Sequence, residues 1–398
     1  MDEPADGPMP RGIWVLAVVA FLVSIGFGVV YPVLPVFART FGVSNFFVAM
    51  VVSAFALMRL VFAPVAGRLV VRLAERSLLV AGVWIVAASS AMAGLARSYG
   101  ELLAWRGIGG VGSAMFTISA MGMMLALAPA SKRGRASGMF SGGFLLGGMA
   151  GPAVGGLLTG ISLTAPFFFY AATLAVAGLV ALLALPGGNV ARATSPDQAP
   201  ITFLVALRDA RFRAAVASAF AHGWQSNGVR SLLVPLIIVE VLLLEPSWIG
   251  IAFGIAAAAQ AVALTGSGWA TDRIGRKPVL LAGSVITAIV GALFAHAGSY
   301  VLLVLLLCLY GMGVSMASTA GQAAVGDALG RRGGSALAGY QMAGDVGTIL
   351  GPLAAGLLAD HASMPAAFWA GAFLLGISAV LAFQMPPADG RPRPVSDP

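Results

Sequence analysis

Residues 147–156 read GGMAGPAVGG, and residues 347–356 read GTILGPLAAG. Gly147, Gly151, Pro152 and Gly156 thus return as Gly347, Gly351, Pro352 and Gly356, at a spacing of 200. Outward from there the pattern persists. Gly110 and Gly112 return as Gly311 and Gly313, and Gly67 and Arg72 as Gly268 and Arg273, each pair 201 residues apart. Gly28, Val29 and Pro35 return as Gly228, Val229 and Pro235, again at 200. Matches in order at nearly one offset read as a duplication, so the 398 residues form two similar halves.

Each half is a series of apolar runs. The chain is 59% hydrophobic and only 10% charged, where a soluble globular domain carries roughly 25% charged residues. So little charge cannot clothe a soluble protein of this length, and lipid must be the solvent over most of its surface. In lipid every backbone N–H and C=O is satisfied internally, which leaves helices or closed barrels. A barrel would show alternating segments of about ten residues. The runs here are uninterrupted and of helix-spanning length, roughly 20 residues or more. The fold class expected is an all-α membrane protein with twelve transmembrane helices. The spans fall at about 12–38, 46–66, 77–96, 102–128, 137–160, 164–185, 213–243, 246–270, 278–297, 300–327, 334–359 and 364–384. The first run exceeds a secretory h-region and its flank is acidic (Asp2, Glu3, Asp6), which fits a retained helix and not a signal peptide.

The longest polar stretch, PGGNVARATSPDQAP at 186–200, divides the spans six and six. The expected organisation is a first six-helix bundle at 1–185, a linker at 186–211 and a second bundle at 212–398. An amphipathic surface helix is expected at 203–212. Lysines and arginines of short loops mark the cytoplasmic side. One set of connections holds 18 of them: Arg11, Arg68, Arg72, Arg76, Lys132, Arg133, Arg135, Arg192, Arg208, Arg211, Arg213, Arg273, Arg276, Lys277, Arg331, Arg332, Arg391 and Arg393. The opposite set holds Arg39 and Arg97. Both termini are therefore expected in the cytoplasm.

Several chemistries are excluded. The single Cys308 forms no intramolecular disulfide, and His222, His296 and His361 show no ligand spacing, so no metal is expected. The net charge of +8 is spread over short loops, which argues against nucleic acid. Gly107, Gly109, Gly110 and Gly112 spell a dinucleotide fingerprint. They lie inside a span, however, without the preceding strand that such a site needs. No Walker sequence and no catalytic constellation occur, so neither a cofactor nor an enzyme is expected.

The remaining motifs carry a resemblance. Residues 268–277 read GWATDRIGRK, with Gly268, Asp272, Arg273, Gly275, Arg276 and Lys277 in a G-x-x-x-D-R-x-G-R-K pattern. The first-half copy is degraded to Gly67, Val71, Arg72, Ala74, Glu75 and Arg76, with valine in place of the aspartate. The fourth span carries Arg106, Gly110 and Gly112, and the fifth carries Gly147, Gly151, Pro152, Gly155 and Gly156. Together these resemble the major facilitator superfamily of secondary transporters, and the fifth-span motif resembles its drug/proton antiporters. The resemblance implies two pseudo-symmetric bundles rocking about a central site. In it, Gly268 permits close helix approach and Asp272 pairs with arginines of a neighbouring helix as a conformational latch. The glycines and prolines of spans five and eleven, Gly351 and Pro352 included, pack and kink helices. Proton-coupled export of amphiphilic small molecules is the implied function. A lipid transporter and a proton symporter for a polar nutrient are the alternatives. The expected setting is a bacterial cell membrane, with a functional monomer in contact with lipid, substrate and protons.

Charge inside spans costs about 2.5–3.5 kcal/mol on insertion scales and marks function by default. Asp345 lies 11 residues into its span, or ~16 Å along the helix axis. It is the first candidate for proton coupling, followed by Arg106, Glu240 and His222. Arg230 is a candidate for an anionic substrate group, and Arg59 for the gate. Asp327 is expected to pair with loop arginines. The first span contains no acid, unlike many relatives. Spans one, four, seven and ten line the family's cavity, which gives Tyr31, Phe116, Trp224, Gln225, Asn227, Tyr310 and Gln322 as candidate contacts. Gln341 of the eleventh span joins them. Such a lining suits an apolar substrate with a few polar handles.

Overall fold

The computed structural model describes residues 9–129, 132–187, 202–329 and 334–386. The acidic flank Asp2, Glu3 and Asp6, most of the polar linker, and Arg192, Arg331, Arg332, Arg391 and Arg393 lie outside the described residues. Within them the chain is helical, without a strand. In order the helices are α1 (Arg11–Val30), α2 (Leu34–Arg39), α3 (Asn45–Arg72), α4 (Glu75–Gly94), α5 (Tyr99–Leu127), α6 (Arg133–Thr159) and α7 (Ala165–Ala184). There follow α8 (Phe203–Ala206), α9 (Ala210–His222), α10 (Ser231–Leu236), α11 (Ser247–Arg273), α12 (Arg276–Leu293), α13 (Tyr300–Leu329), α14 (Gly334–His361) and α15 (Met364–Phe383).

Eleven of these are long and apolar enough to cross a membrane. The twelfth crossing is the one expected at 213–243. It is one continuous helical run in which α9, a π-helical segment Gly223–Arg230, α10 and a second π-helical segment Ile237–Val241 follow one another. Pro235 sits inside α10, where it removes one backbone donor. Its counterpart is interrupted, since α1 ends at Val30 and α2 resumes at Leu34 with Pro35 in its first turn.

Helix ends are set by local chemistry. Ser98 caps α5, its hydroxyl accepting from the Glu101 N–H at 3.3 Å, while a Glu101 carboxylate oxygen accepts from the Arg97 N–H at 2.8 Å. This reciprocal pair is a variant of the capping box. Asp209 caps α9 by accepting from the Arg211 N–H at 2.7 Å. That cap overturns the surface helix expected at 203–212. The chain turns after four residues of α8 and restarts at Ala210, with Phe203 folded back to within 5.9 Å of the Phe212 ring. Gly275, at φ 108°, makes the sharp turn between α11 and α12, a conformation that L side chains resist.

The chain divides into two compact units. The first comprises Met1–Val43, Ala54–Ser195 and Pro246–Ile251. There α1 packs on α6 and α7, and α4 on α5 and α7. The second comprises Ser44–Ser53, Pro196–Glu245 and Ala252–Pro398. There α9 and its π segment pack on α14 and α15, and α12 on α13 and α15. Each pairing in one unit has its counterpart in the other, so the duplication governs packing as well as sequence. The glycines explain how. A Cβ at Gly28 would stand 3.1 Å from the Gly151 Cα, and one at Gly228 would stand 3.0 Å from the Gly351 Cα. Small residues let these backbones touch, the usual source of association between helices in lipid.

The second unit also contains a side-chain cap supplied across the sequence. The Asp360 carboxylate near the end of α14 accepts from the Asn45 N–H at 3.0 Å and the Phe46 N–H at 2.9 Å, at the first turn of α3. Losing an N-cap costs about 0.5–2 kcal/mol. Asp360→Ala is therefore expected to lower the melting temperature of the purified protein, and Asp360→Asn to lower it less.

Candidate functional site

The most deeply placed cation in the first unit is Arg106; the Glu75 carboxylate, at the start of α4, is buried too. Arg106 lies in the second turn of α5 and is 5% exposed. Its guanidinium carbon stands 4.8 Å from the centre of the Phe55 ring of α3. Phe27 of α1 continues the wall, with its ring 5.7 Å from Phe55, 5.0 Å from Tyr31 and 6.5 Å from Tyr170 of α7. Tyr31 and Tyr170 lie within electrostatic reach of Arg106. Gly26 makes room for Tyr170, because a Cβ there would collide with that ring. The Arg106 Nε is buried without a hydrogen-bond partner. Four helices thus bring an arginine into an aromatic box. Arg59 of α3, expected at the gate, lies within electrostatic reach of Tyr170 instead. Phe116 is elsewhere, 3% exposed, with its ring 6.2 Å from Phe144.

The second unit holds its own polar cluster, most of it on the π-helical segment. Tyr310 of α13 is fully buried, and its hydroxyl is 2.9 Å from the Ser226 hydroxyl. The Arg230 guanidinium stands 5.4 Å from the Phe253 ring and 5.5 Å from the Tyr310 ring, and its Nε donates to the Ser226 carbonyl at 3.3 Å. The His222 Nδ1 meets the Ser218 carbonyl at 2.8 Å, while its Nε2 is buried and unpartnered. The Trp224 Nε1 is likewise buried and unpartnered. Gln225 is fully buried with both amide atoms unpartnered, its side chain pressed against Gly291 of α12 and Gly371 of α15. The other candidates are more open. Asn227, Glu240, Gln322 and Gln341 are exposed, and Asp345 is half-buried on α14 and has an interaction partner. Among the described residues no cluster of metal-ligating side chains forms.

A family model described as Major Facilitator Superfamily matches residues 16–242 and, again, 215–398. The chain belongs to the major facilitator superfamily. It is thus a multi-span membrane transporter, and the resemblance carried by its motifs holds. It is 29% identical over 161 residues to the quinolone resistance protein NorA of Staphylococcus aureus, a match covering 40% of this chain and 42% of that one. It is 28% identical over 165 residues to multidrug resistance protein 1 of Bacillus subtilis (strain 168), covering 42% of each. The matched stretch therefore spans about two fifths of these relatives' length. Solved structures share the fold. A bacterial homolog of the human lysosomal transporter Spinster superposes with a TM-score of 0.77 at 17% identity, covering 95% of this chain and 97% of that one. The nucleoside transporter NupG gives 0.71 at 18%, covering 93% and 98%. The human organic anion transporter MFSD10 gives 0.69 at 18%, covering 95% and 100%. The all-α, twelve-helix fold read from the sequence is the superfamily's.

The superfamily's gate motif is assembled differently from expectation. A Cβ at Gly268, or at Gly67, would meet nothing within 4 Å, so neither glycine serves a close helix approach in this structure. Asp272 makes no ion pair among the described residues. The charge contact is instead Arg276 Nε to Asp327 Oδ2 of α13, at 2.9 Å, an ion pair off the line of a directed hydrogen bond. Arg273 and Lys277 lie over the rings of Trp269 and Phe383, at 5.5 and 5.2 Å. In the degraded first copy, Arg72 is exposed, and Arg76 donates to the Leu182 carbonyl at the end of α7.

Phe27, Phe55 and Tyr170 were not among the residues expected at the site. The family resemblance points to spans one, four, seven and ten for the cavity lining, whereas Phe55 and Tyr170 come from the second and sixth. The available signal is Phe27 and Tyr31, two aromatics four residues apart, one on the last turn of α1 and one at its C-cap, beside the small Gly26.

Proposed function

We propose that this protein exports amphiphilic small molecules in exchange for protons, by alternating access of its two halves. The observation that carries the reading is the arginine in an aromatic box. Flat apolar walls with one fixed cation and two phenols suit a molecule with aromatic area and a polar end. The names of the two relatives, a quinolone resistance protein and a multidrug resistance protein, support the direction of transport. Asp345, half-buried midway along α14, is the proposed proton carrier. The excess of lysine and arginine in one set of loops supports placing both termini in the cytoplasm.

The test uses proteoliposomes loaded with a pH-sensitive dye and a panel of lipophilic cations, neutral antibiotics and aromatic acids. Addition of a substrate is expected to drive proton movement in the wild type. In Asp345→Asn that movement is expected to vanish while substrate binding persists. Transport without proton movement removes the coupling from the proposal, and an unaffected Asp345→Asn removes that residue from it.

A further inference from the structure

We propose that Arg106 receives the acidic group of an amphiphile, so that the protein selects amphiphilic anions over their neutral counterparts. The inference deepens the transport reading above and rests on it. It begins with a count. Between Arg11 and Arg192 the chain contains only two acids, Glu75 and Glu101. Both sit in the first turn of a helix, at the ends of α4 and α5. Glu101 is already engaged by the Arg97 N–H. Glu75 is buried and has an interaction partner of its own, and neither carboxylate is among the groups that act electrostatically on Arg106.

Arg106 itself is 95% buried by its 5% exposure, its Nε has no partner, and it makes no hydrogen bond or ion pair with any described residue. One aromatic ring, Phe55, lies against it, and Phe27 adjoins that ring. The face of Phe55 steadies a guanidinium through its quadrupole without cancelling its charge. A buried cation with a ring against its face keeps the donors at its edge in hand. Guanidinium offers a planar fork that matches a carboxylate or a phosphate two-pronged. The Tyr31 and Tyr170 hydroxyls, within electrostatic reach, add O–H donors for the same oxygens. Phe27 and Phe55 supply the surface on which an attached apolar or aromatic body rests. Charge, donors and apolar wall together describe an amphiphile with an acidic head. That head has two sources, a dissolved organic acid or an anionic lipid.

The experiment uses the full chain in phosphatidylcholine nanodiscs and two probes of one shape, 2-naphthoate and 2-naphthamide. The wild type is expected to bind the acid roughly tenfold or more tightly than the amide, the scale of a charge-assisted hydrogen bond. Arg106→Gln is expected to bring the ratio to about one by weakening acid binding most, and a single symmetric size-exclusion peak with a wild-type melting temperature shows that the variant is folded. Arg106→Lys keeps the charge without the fork and is expected to fall between. Adding phosphatidylglycerol separates the sources, because displacement of naphthoate assigns the site to a lipid head group and no displacement assigns it to a solute. Equal binding of both probes by the wild type, binding of neither, or an acid preference that survives Arg106→Gln overturns the proposal. Proton movement is read separately. Flux without an acid preference sinks this inference alone, and an acid preference without flux sinks the coupling alone.

Discussion

A leucine at Gly151 is expected to leave no folded protein, and an alanine there to cost on the order of 1–3 kcal/mol, the usual scale for overpacking. The reason is what a Cβ would meet. At Gly151 it would stand 2.6 Å from the Gly28 Cα, 2.7 Å from the Gly28 carbonyl carbon and 2.7 Å from the Ile25 carbonyl oxygen. All are backbone atoms, so no side chain can turn aside, and α1 and α6 must separate along their whole contact. Only about 5–15 kcal/mol holds most proteins folded, so a side chain that forces two backbones apart along their contact exceeds what the fold tolerates. Gly268→Ala is the contrast, since nothing lies within 4 Å of its Cβ. It is expected to leave the melting temperature unchanged. Thermal unfolding of purified Gly151→Ala, Gly351→Ala and Gly268→Ala variants, read by size-exclusion fluorescence, checks the set. A Gly151→Ala variant as stable as the wild type would sink the packing account.

The same comparison shows what the sequence makes legible. Helices, their number and the two-half plan follow from lipid as solvent and from glycines that recur at one spacing. Those constraints are local or periodic. The packing partner of Gly151 is not legible in that way, because the recurrence of Gly28 as Gly228 does not say which helix either one meets; the structure sets Gly28 against Gly151. The box around Arg106 is no more legible. It joins Phe27, Phe55, Arg106 and Tyr170 from four helices, and no periodicity links residues so distant in the chain. The arginine itself stood out, since a cation in an apolar run is costly wherever it points. The gate shows the opposite failure. Its motif is intact in sequence, yet the ion pair formed is Arg276 with Asp327. A motif names residue types and not the contacts they make, and Asp272 makes no ion pair among the described residues. The π-helical segments were also invisible, since an inserted residue leaves the hydrophobic pattern nearly unchanged over so short a stretch.

Gln225 turns one of those segments into an experiment. Its side chain is fully buried, and neither its Nε2 nor its Oε1 has a partner. A buried amide left unbonded costs about 1–3 kcal/mol. Gln225→Met keeps the length, removes both polar atoms and fills the same space. It is therefore expected to stabilise this conformation by up to about that amount, seen as a higher melting temperature. Transport is expected to fall in the same variant. π-helical turns collect at functional sites, and Gln225 lies within Gly223–Arg230, the stretch that also carries Arg230 and the Ser226–Tyr310 contact. Removing a cost carried by one conformation deepens that state and slows exchange out of it, the familiar trade of activity for stability. Gly371 supplies the control. A Cβ there would collide with the Gln225 Oε1 and stand 2.6 Å from its Cδ, so Gly371→Ala is expected to destabilise strongly. Gln225→Ala in the same chain removes the obstacle, and the double variant is expected to recover most of the loss. A cycle of the two substitutions isolates their contact. Simple additivity would place the amide away from α15, and a Gln225→Met variant less stable than the wild type would show that its polar atoms are satisfied in the membrane.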